Sequence, residues 1–241
     1  MQAQPQIATS FVAKVSCMVT DYSITQPHLA HETENTASGT IFFVSGQSIG
    51  MDTTHPVGIT NYHCVEDCKR DTCRVFLANG DYHDCKILYV CPQLDFAIVM
   101  LNFEVPVVGT IATPRAPLPG TPVVIPGYPL DTECDACQYS YGHMSAPNSG
   151  HWLQCSLSCN FGNSGGPLIE MSNGAIHGIC TASPCMSEGI TLALPIWAVT
   201  CTVTRWCNMS NILRIPEFTS SFSTLTPAIA QSRGIPHLGV L

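Results

Sequence analysis

At 241 residues, with 45% hydrophobic and only 11% charged side chains and a net charge of −8, the chain can build a core but has little ionic surface. Its nine Lys and Arg gather nowhere beyond Lys69-Arg70 and Arg74, which excludes a basic stripe and makes nucleic acid an unexpected partner. No run approaches about 18 uncharged apolar residues, so neither a membrane-spanning helix nor a membrane partner is expected.

Taken in order, the chain is one short alternating segment after another, the pattern of half-buried strands. Residues 7–20 predict a first strand and residues 21–38 a polar loop. Strands follow at 40–45, 57–62, 74–78, 86–90 and 96–102, with Asn79-Gly80 as a hairpin turn after the fourth. Residues 106–122 contain Pro106, Pro114, Pro117, Pro119, Gly120 and Pro122 and read as a linker. A second set of strands is predicted at 123–126, 138–144, 152–157, 167–171, 175–181 and 190–194, with Asn173-Gly174 as its hairpin signal. Only residues 196–206 show a weak helical period. Two runs of six short strands predict an all-β fold of two six-stranded antiparallel β-barrels. The expected organisation is a first barrel over 1–105, a linker over 106–122, a second barrel over 123–200 and a C-terminal extension over 201–241.

Three segments carry chemistry. Asn160-Phe161-Gly162-Asn163-Ser164-Gly165-Gly166-Pro167 sets a serine in a glycine-rich turn. A serine hydroxyl needs exposure, a neighbouring base, and donors facing the oxyanion formed on attack. The backbone N–H groups of Gly162 and Ser164 are the candidate oxyanion hole. Thr60-Asn61-Tyr62-His63-Cys64 ends a strand on the candidate base, and Asp95 opens the strand Phe96-Ala97-Ile98-Val99. The order His63, Asp95, Ser164 is one of the known chain orders of a Ser-His-Asp triad. The serine segment also fits the nucleophile elbow of α/β-hydrolases. That fold requires an acid and then a histidine after the serine; no aspartate follows Ser164, and strand–helix alternation is missing.

These motifs, with Ser38-Gly39-Thr40-Ile41-Phe42-Phe43-Val44, Val123-Val124-Ile125-Pro126-Gly127-Tyr128 and Gly189-Ile190-Thr191-Leu192-Ala193-Leu194-Pro195, resemble the trypsin-like serine peptidases, the HtrA-like branch above all, over residues 8–200. The resemblance implies an active site in the cleft between the barrels and a His63/Asp95/Ser164 triad forming an acyl-enzyme. It also implies a polypeptide substrate and no cofactor. Ser158, Cys159, Asn160, Thr181, Ala182 and Ser183 are the implied substrate pocket. All six are small and uncharged, which predicts an uncharged, small to medium apolar preference. His177 lies near this pocket in sequence, with a core position the favoured alternative. Asn163 stands where many secreted relatives have an aspartate that pairs with a freed N-terminus, so activation by N-terminal cleavage is not implied. About forty residues follow the second barrel, and no PDZ domain is expected among them. The Ser-, Thr- and Pro-rich segment 216–241 reads as an extended tail, open as a contact for a protein partner or oligomer.

Fourteen cysteines leave three readings open: small buried hydrophobes, a disulfide set, or a zinc site drawing on Cys64, Cys68, Cys73, Cys134 and Cys137. No metal is assigned on these spacings. In secreted relatives Cys64 has a half-cystine partner upstream; here Gly39-Thr40-Ile41 contains none. The first twenty residues lack the apolar stretch of a secretory leader, and the expected location is inside a cell or within a virus particle. The rival to a peptidase is a structural or binding protein that keeps the fold with a restrained site and uses its cleft or tail for assembly.

Overall fold

A computed structural model describes residues 9–22, 30–34, 39–68, 72–129, 136–147, 152–182 and 189–212. The strands of the first half are β1 (Val12–Tyr22), β2 (Ala30–Glu34), β3 (Gly39–Ser45), β4 (Pro56–Thr60), β5 (Thr72–Phe76), β6 (Tyr82–Cys91) and β7 (Phe96–Met100). They hydrogen-bond in the order β2-β1-β3-β4-β7-β6-β5, and β5 returns to β1 through Lys14↔Phe76 to Cys17↔Cys73. Six strands therefore close into a barrel without a free edge, while β2 extends β1 as a ribbon. Asn79-Gly80 makes the predicted turn: Gly80 has φ +88° and the Asn79 side chain accepts from the Asp81 N–H at 3.0 Å.

The second half contains β8 (Thr110–Ile111), β9 (Pro122–Gly127), β10 (Gln138–Pro147), β11 (Leu153–Cys155), β12 (Pro167–Glu170), β13 (Ala175–Ala182) and β14 (Thr191–Pro195). The order β12-β9-β10-β11-β14-β13 closes where β13 meets β12, a second six-stranded antiparallel barrel. The double-barrel expectation is borne out. Alternation along β9 explains how the barrels join. Val123 and Ile125 enter the interior with Met144, Leu153, Leu168 and Ala193, while Val124 faces the large cluster shared with the first half. Strand β3 is buried at six successive positions because both its faces are covered.

The structure corrects one expectation and adds to two others. The predicted loop 21–38 contains β2, which pairs with β1 from Tyr22↔Ala30 to Met18↔Glu34. Main-chain pairing in a ribbon needs no apolar alternation, so Ala30–Glu34 gave no strand signal. The linker 106–122 contains β8, which runs parallel to β13, while the Gly109 N–H donates to Phe43 O at 2.8 Å. The linker thus straps both barrels, tight enough that a Cβ on Gly109 would meet Ile176 Cδ1 at 2.4 Å.

The extension begins within a 17-residue helix, α1 (Ile196–Ile212), which spans the weak helical period at 196–206. Its period is weak because Thr200, Thr202 and Thr204 interrupt it. Each hydroxyl donates to the carbonyl four residues back. Ile196, Val199 and Val203 are buried, and Trp206 meets Tyr89 with ring centroids 5.0 Å apart, so the helix reaches across to the first barrel. Segment 216–241 lies outside the described residues. Among the described residues, no helix is long and apolar enough to cross a membrane.

Among the described residues, the cysteines divide between two of the three roles. Cys17 and Cys68 form a disulfide that ties β1 to the turn after His63. Cys68 is therefore engaged otherwise than as a zinc ligand, and Cys134 lies outside the described residues. Cys64, Cys73, Cys85, Cys91, Cys155 and Cys180 are buried thiols. A Cβ on Gly39 would sit 2.4 Å from Cys64 Sγ, so the position facing that sulfur has no room for a partner side chain without rearrangement.

Candidate active site

Strand β4 runs out of the first barrel into Asn61, and a turn follows in which the Val65 N–H donates to Tyr62 O at 2.8 Å. This turn carries His63 at the surface, its side chain 41% exposed. Asp95 ends the turn between β6 and β7 with φ +54°, the one positive φ outside glycine among the described residues. Asp tolerates this left-handed conformation better than most side chains. Here it turns the carboxylate back on His63. Asp95 Oδ2 lies 2.7 Å from His63 Nδ1, and Oδ1 accepts the His63 main-chain N–H at 2.9 Å. The pairing raises the His63 pKa to about 10. The Asp95 hydrogen bond is the largest cause and the Cys64 contact the second, with desolvation opposing both.

Ser164 sits in the turn entering β12, a strand rather than the helix of a nucleophile elbow. Asn160 O accepts from the Asn163 N–H at 3.1 Å, and Asn163 O from the Gly166 N–H at 2.9 Å. Gly165 N–H donates to Cys180 O, and Cys180 N–H to Gly166 O, both at 2.8 Å, which fastens the turn to β13. Two glycines are obligatory. Gly162 has φ +93° and a Cβ there would lie 2.2 Å from Tyr128 O. Gly165 has φ +84° and a Cβ would lie 2.1 Å from Thr40 O. Among the described residues, the main-chain N–H groups of Gly162 and Ser164 donate no hydrogen bond, while their carbonyls are held by Thr40. Thr40 N–H donates to Ser164 O at 2.8 Å, and Thr40 Oγ1 donates to Gly162 O at 2.7 Å.

The fold therefore brings all three candidates to one place. Ser164 O lies 3.7 Å from the sulfur of Cys64, the residue after His63, and Gly165 packs against Asn61 N. No hydrogen bond joins Ser164 Oγ to His63 Nε2 among those of the described residues. Buried Asn61 ties the histidine turn to both neighbours: its Nδ2 donates to Asp95 O at 2.8 Å and to Thr181 Oγ1 at 3.2 Å. Thr40 and Asn61 are positioning residues that sequence reasoning missed. Their segments stood out, but their bonds run between residues far apart in the chain.

Of the predicted pocket, Ser158 and Asn160 are exposed and Cys159 is half-buried. Thr181 is buried, with its hydroxyl turned to Asn61 and Ile179 O. Ala182 ends β13, and Ser183 lies outside the described residues. His177 takes the core alternative. Its Nε2 is 2.9 Å from Glu170 Oε2, and that carboxylate is held below its usual range, first by the Ser172 hydroxyl and then by His177.

Comparison with known proteins bears on the same residues. A serine endoprotease from Yersinia pestis superposes with a TM-score of 0.64 over 84% of this chain and 64% of that one, at 24% identity, which establishes a shared fold. The putative serine protease HhoB of a Synechocystis strain is 29% identical over 147 residues, 57% of this chain and 34% of the relative. Serine protease HTRA1A of Danio rerio is 30% identical over 171 residues, 66% of this chain and 32% of the relative. The chain spans about a third of the length of these curated relatives. The family model described as a trypsin-like peptidase domain matches residues 37–179. That match starts just before β3, includes His63, Asp95 and Ser164, and covers more than half of the 241 residues. By its sequence, and in keeping with its fold, the chain belongs to the trypsin-like peptidase family.

Proposed function

We propose that the protein is a serine endopeptidase. His63 acts as general base toward the Ser164 hydroxyl and then as general acid toward the leaving amine. Asp95 holds the imidazole through Nδ1 and stabilises its cation. The undonated N–H groups of Gly162 and Ser164 receive the oxyanion of the tetrahedral intermediate, and an acyl-Ser164 ester links the two half-reactions. The two-point contact between Asp95 and His63 carries the proposal, since a turn aspartate with no catalytic task has no reason to meet both nitrogens. Substrate is an extended polypeptide with an uncharged side chain before the scissile bond. Small neutral Ser158, Cys159 and Asn160 support this preference, as does Phe161, an apolar ring left 91% exposed beside Gly162.

The test is labelling by a fluorophosphonate, wild type beside Ser164→Ala. Labelling of the wild type alone is expected; an unlabelled, folded wild type refutes an activated serine. One observation favours the rival, a peptidase fold held inactive for a structural or binding role. The Ser164–His63 hydrogen bond is open, and a histidine raised to about 10 is cationic at neutral pH. Labelling that grows between pH 7 and pH 10 is expected of the peptidase, and absence of labelling across that range of the rival.

A further inference from the structure

Beside the serine turn, two thiols face each other between segment 158–160 and β13. Cys159 Sγ lies 3.3 Å from Cys180 Sγ, inside the usual non-bonded contact of two sulfurs. Cys159 belongs to segment 158–160, which leads into the Ser164 turn, and is half-buried. Cys180 lies on β13, is 2% exposed, and holds that turn through both its main-chain groups. A bond between these sulfurs would join the two walls of the proposed pocket.

The surroundings favour different roles for the two. Hydrogen bonding from Cys180 holds the Cys159 thiol below its ordinary pKa against desolvation, with Thr191 and Asn163 adding to the effect. The Thr191 hydroxyl already donates to Leu157 O at 2.9 Å. Asn163 is different: 1% exposed, it has an Nδ2 donor with no partner among the described residues. An unpaired buried donor is costly, and a thiolate at Cys159 gives it an acceptor. Cys180 is pushed well above the thiol range by Cys159 and by burial. The pair is thus an accessible attacking sulfur backed by a protected one. Cys73 and Cys85, opposed across β5 and β6, lack this asymmetry; both are buried and both are raised chiefly by desolvation.

We propose that Cys159 and Cys180 form a modification site, a dithiol that a low-molecular-weight disulfide closes and a thiol reopens. The Cys159 thiolate attacks one sulfur of the external disulfide, forming a mixed disulfide and expelling one thiolate. The Cys180 thiol gives its proton to that leaving thiolate and attacks the Cys159 sulfur, forming the Cys159–Cys180 bond and expelling the second thiolate. Two electrons pass from the protein pair to the external disulfide, which leaves as one thiol and one thiolate, the latter taking a proton from solvent. Closure draws the sulfurs from 3.3 Å to about 2.05 Å, shifting segment 158–160 toward β13. Its effect on hydrolysis rests on the peptidase function proposed above.

The experiment exposes the full chain to oxidised glutathione, blocks remaining thiols with N-ethylmaleimide after denaturation, and maps crosslinked peptides by mass spectrometry. A Cys159–Cys180 crosslink is expected in the wild type. Cys180→Ala is expected to stop at a glutathione adduct on Cys159, and Cys159→Ala to give neither product. N-ethylmaleimide on both Cys159 and Cys180 of the oxidant-treated wild type overturns the proposal, and that measurement requires no variant to fold. Hydrolysis of labelled casein is expected to fall about tenfold on closure and to return with dithiothreitol, since a displacement near 1 Å can cost up to ~100-fold. In Cys159→Ala the ratio of oxidised to reduced rate is expected to be one. A mapped crosslink in protein that a fluorophosphonate never labels supports the dithiol and overturns the peptidase function.

Discussion

Asp95 holds His63 twice, taking its ring nitrogen at 2.7 Å and its main-chain N–H at 2.9 Å. One carboxylate therefore fixes both where the histidine turn sits and which way its ring faces. Orientation and charge are supplied by the same group, and each has its own consequence.

The charge effect appears in pH dependence. In the proposed role the base must be neutral, and Asp95 first and Cys64 second raise the His63 pKa from 6.5 to about 10. The acid limb of kcat/KM is expected to lie above pH 6.5, displaced toward 10, so activity increases across neutral and mildly alkaline pH. Asp95→Asn is expected to bring the His63 titration back toward 6.5, read from its ring-proton shifts by NMR. The maximal rate is expected to fall by roughly 10⁴, the loss typical when this orienting carboxylate becomes an amide. Stability follows the raised pKa. The contribution of the pair is fully present below 6.5 and is lost as pH rises through about 10. The gap in urea midpoint between wild type and Asp95→Asn is expected to close over that window.

Gly162→Ala is expected to abolish the site while leaving most of the fold. Its Cβ would meet Tyr128 O at 2.2 Å at a φ of +93°, so the turn must flatten and withdraw a donor from the oxyanion position. Losing one such donor costs about 10²–10³ in kcat. Steady-state hydrolysis beside a circular dichroism spectrum checks it. Retained activity would show that Gly162 N–H has no part in catalysis.

Thr40→Val keeps the shape of a buried side chain and removes its hydroxyl. Gly162 O then loses a donor at 2.7 Å and Tyr128 N–H an acceptor at 3.1 Å. A loss of about 1–3 kcal/mol in denaturant unfolding is expected for buried partners left unpaired. Fluorophosphonate labelling should slow in parallel, because the carbonyl of the oxyanion turn is no longer held.

Replacing Cys17 and Cys68 by serine removes a crosslink closing 51 residues. Chain entropy assigns about 4 kcal/mol to such a loop. The double variant is expected to unfold at lower denaturant concentration by a comparable amount, and dithiothreitol to lower the wild-type midpoint but not that of the variant. A wild type insensitive to reductant would contradict the bond between these cysteines.

Much of this architecture was legible because barrel strands announce themselves locally. Each of the six closing strands in either half has a face in a core, so Val123 and Ile125, or Val57 and Ile59, recur at a period of two. Ala30–Glu34 and Thr110–Ile111 escaped because neither shows an apolar alternation in sequence: one is mostly polar, and the other is two residues inside a proline-rich strap. The helix was blurred by threonines that satisfy their hydroxyls on the helix itself. At the site, His63, Asp95 and Ser164 stand in short recognisable flanks. Thr40 acts on Gly162, 122 residues away, and Asn61 on Thr181, 120 residues away. Such bonds leave no periodic trace, and only the folded chain reveals them.

The bond from Thr40 N–H to Ser164 O links the nucleophile to the order in which the chain is made. During synthesis the residues of the first barrel leave the ribosome before residue 160, so that half on its own lacks Ser164. A released or fragmented second barrel has the serine but lacks the donor groups of Thr40 that shape its turn. On the proposed function, neither half holds a complete site on its own. A nascent or truncated chain would then be unable to digest its neighbours.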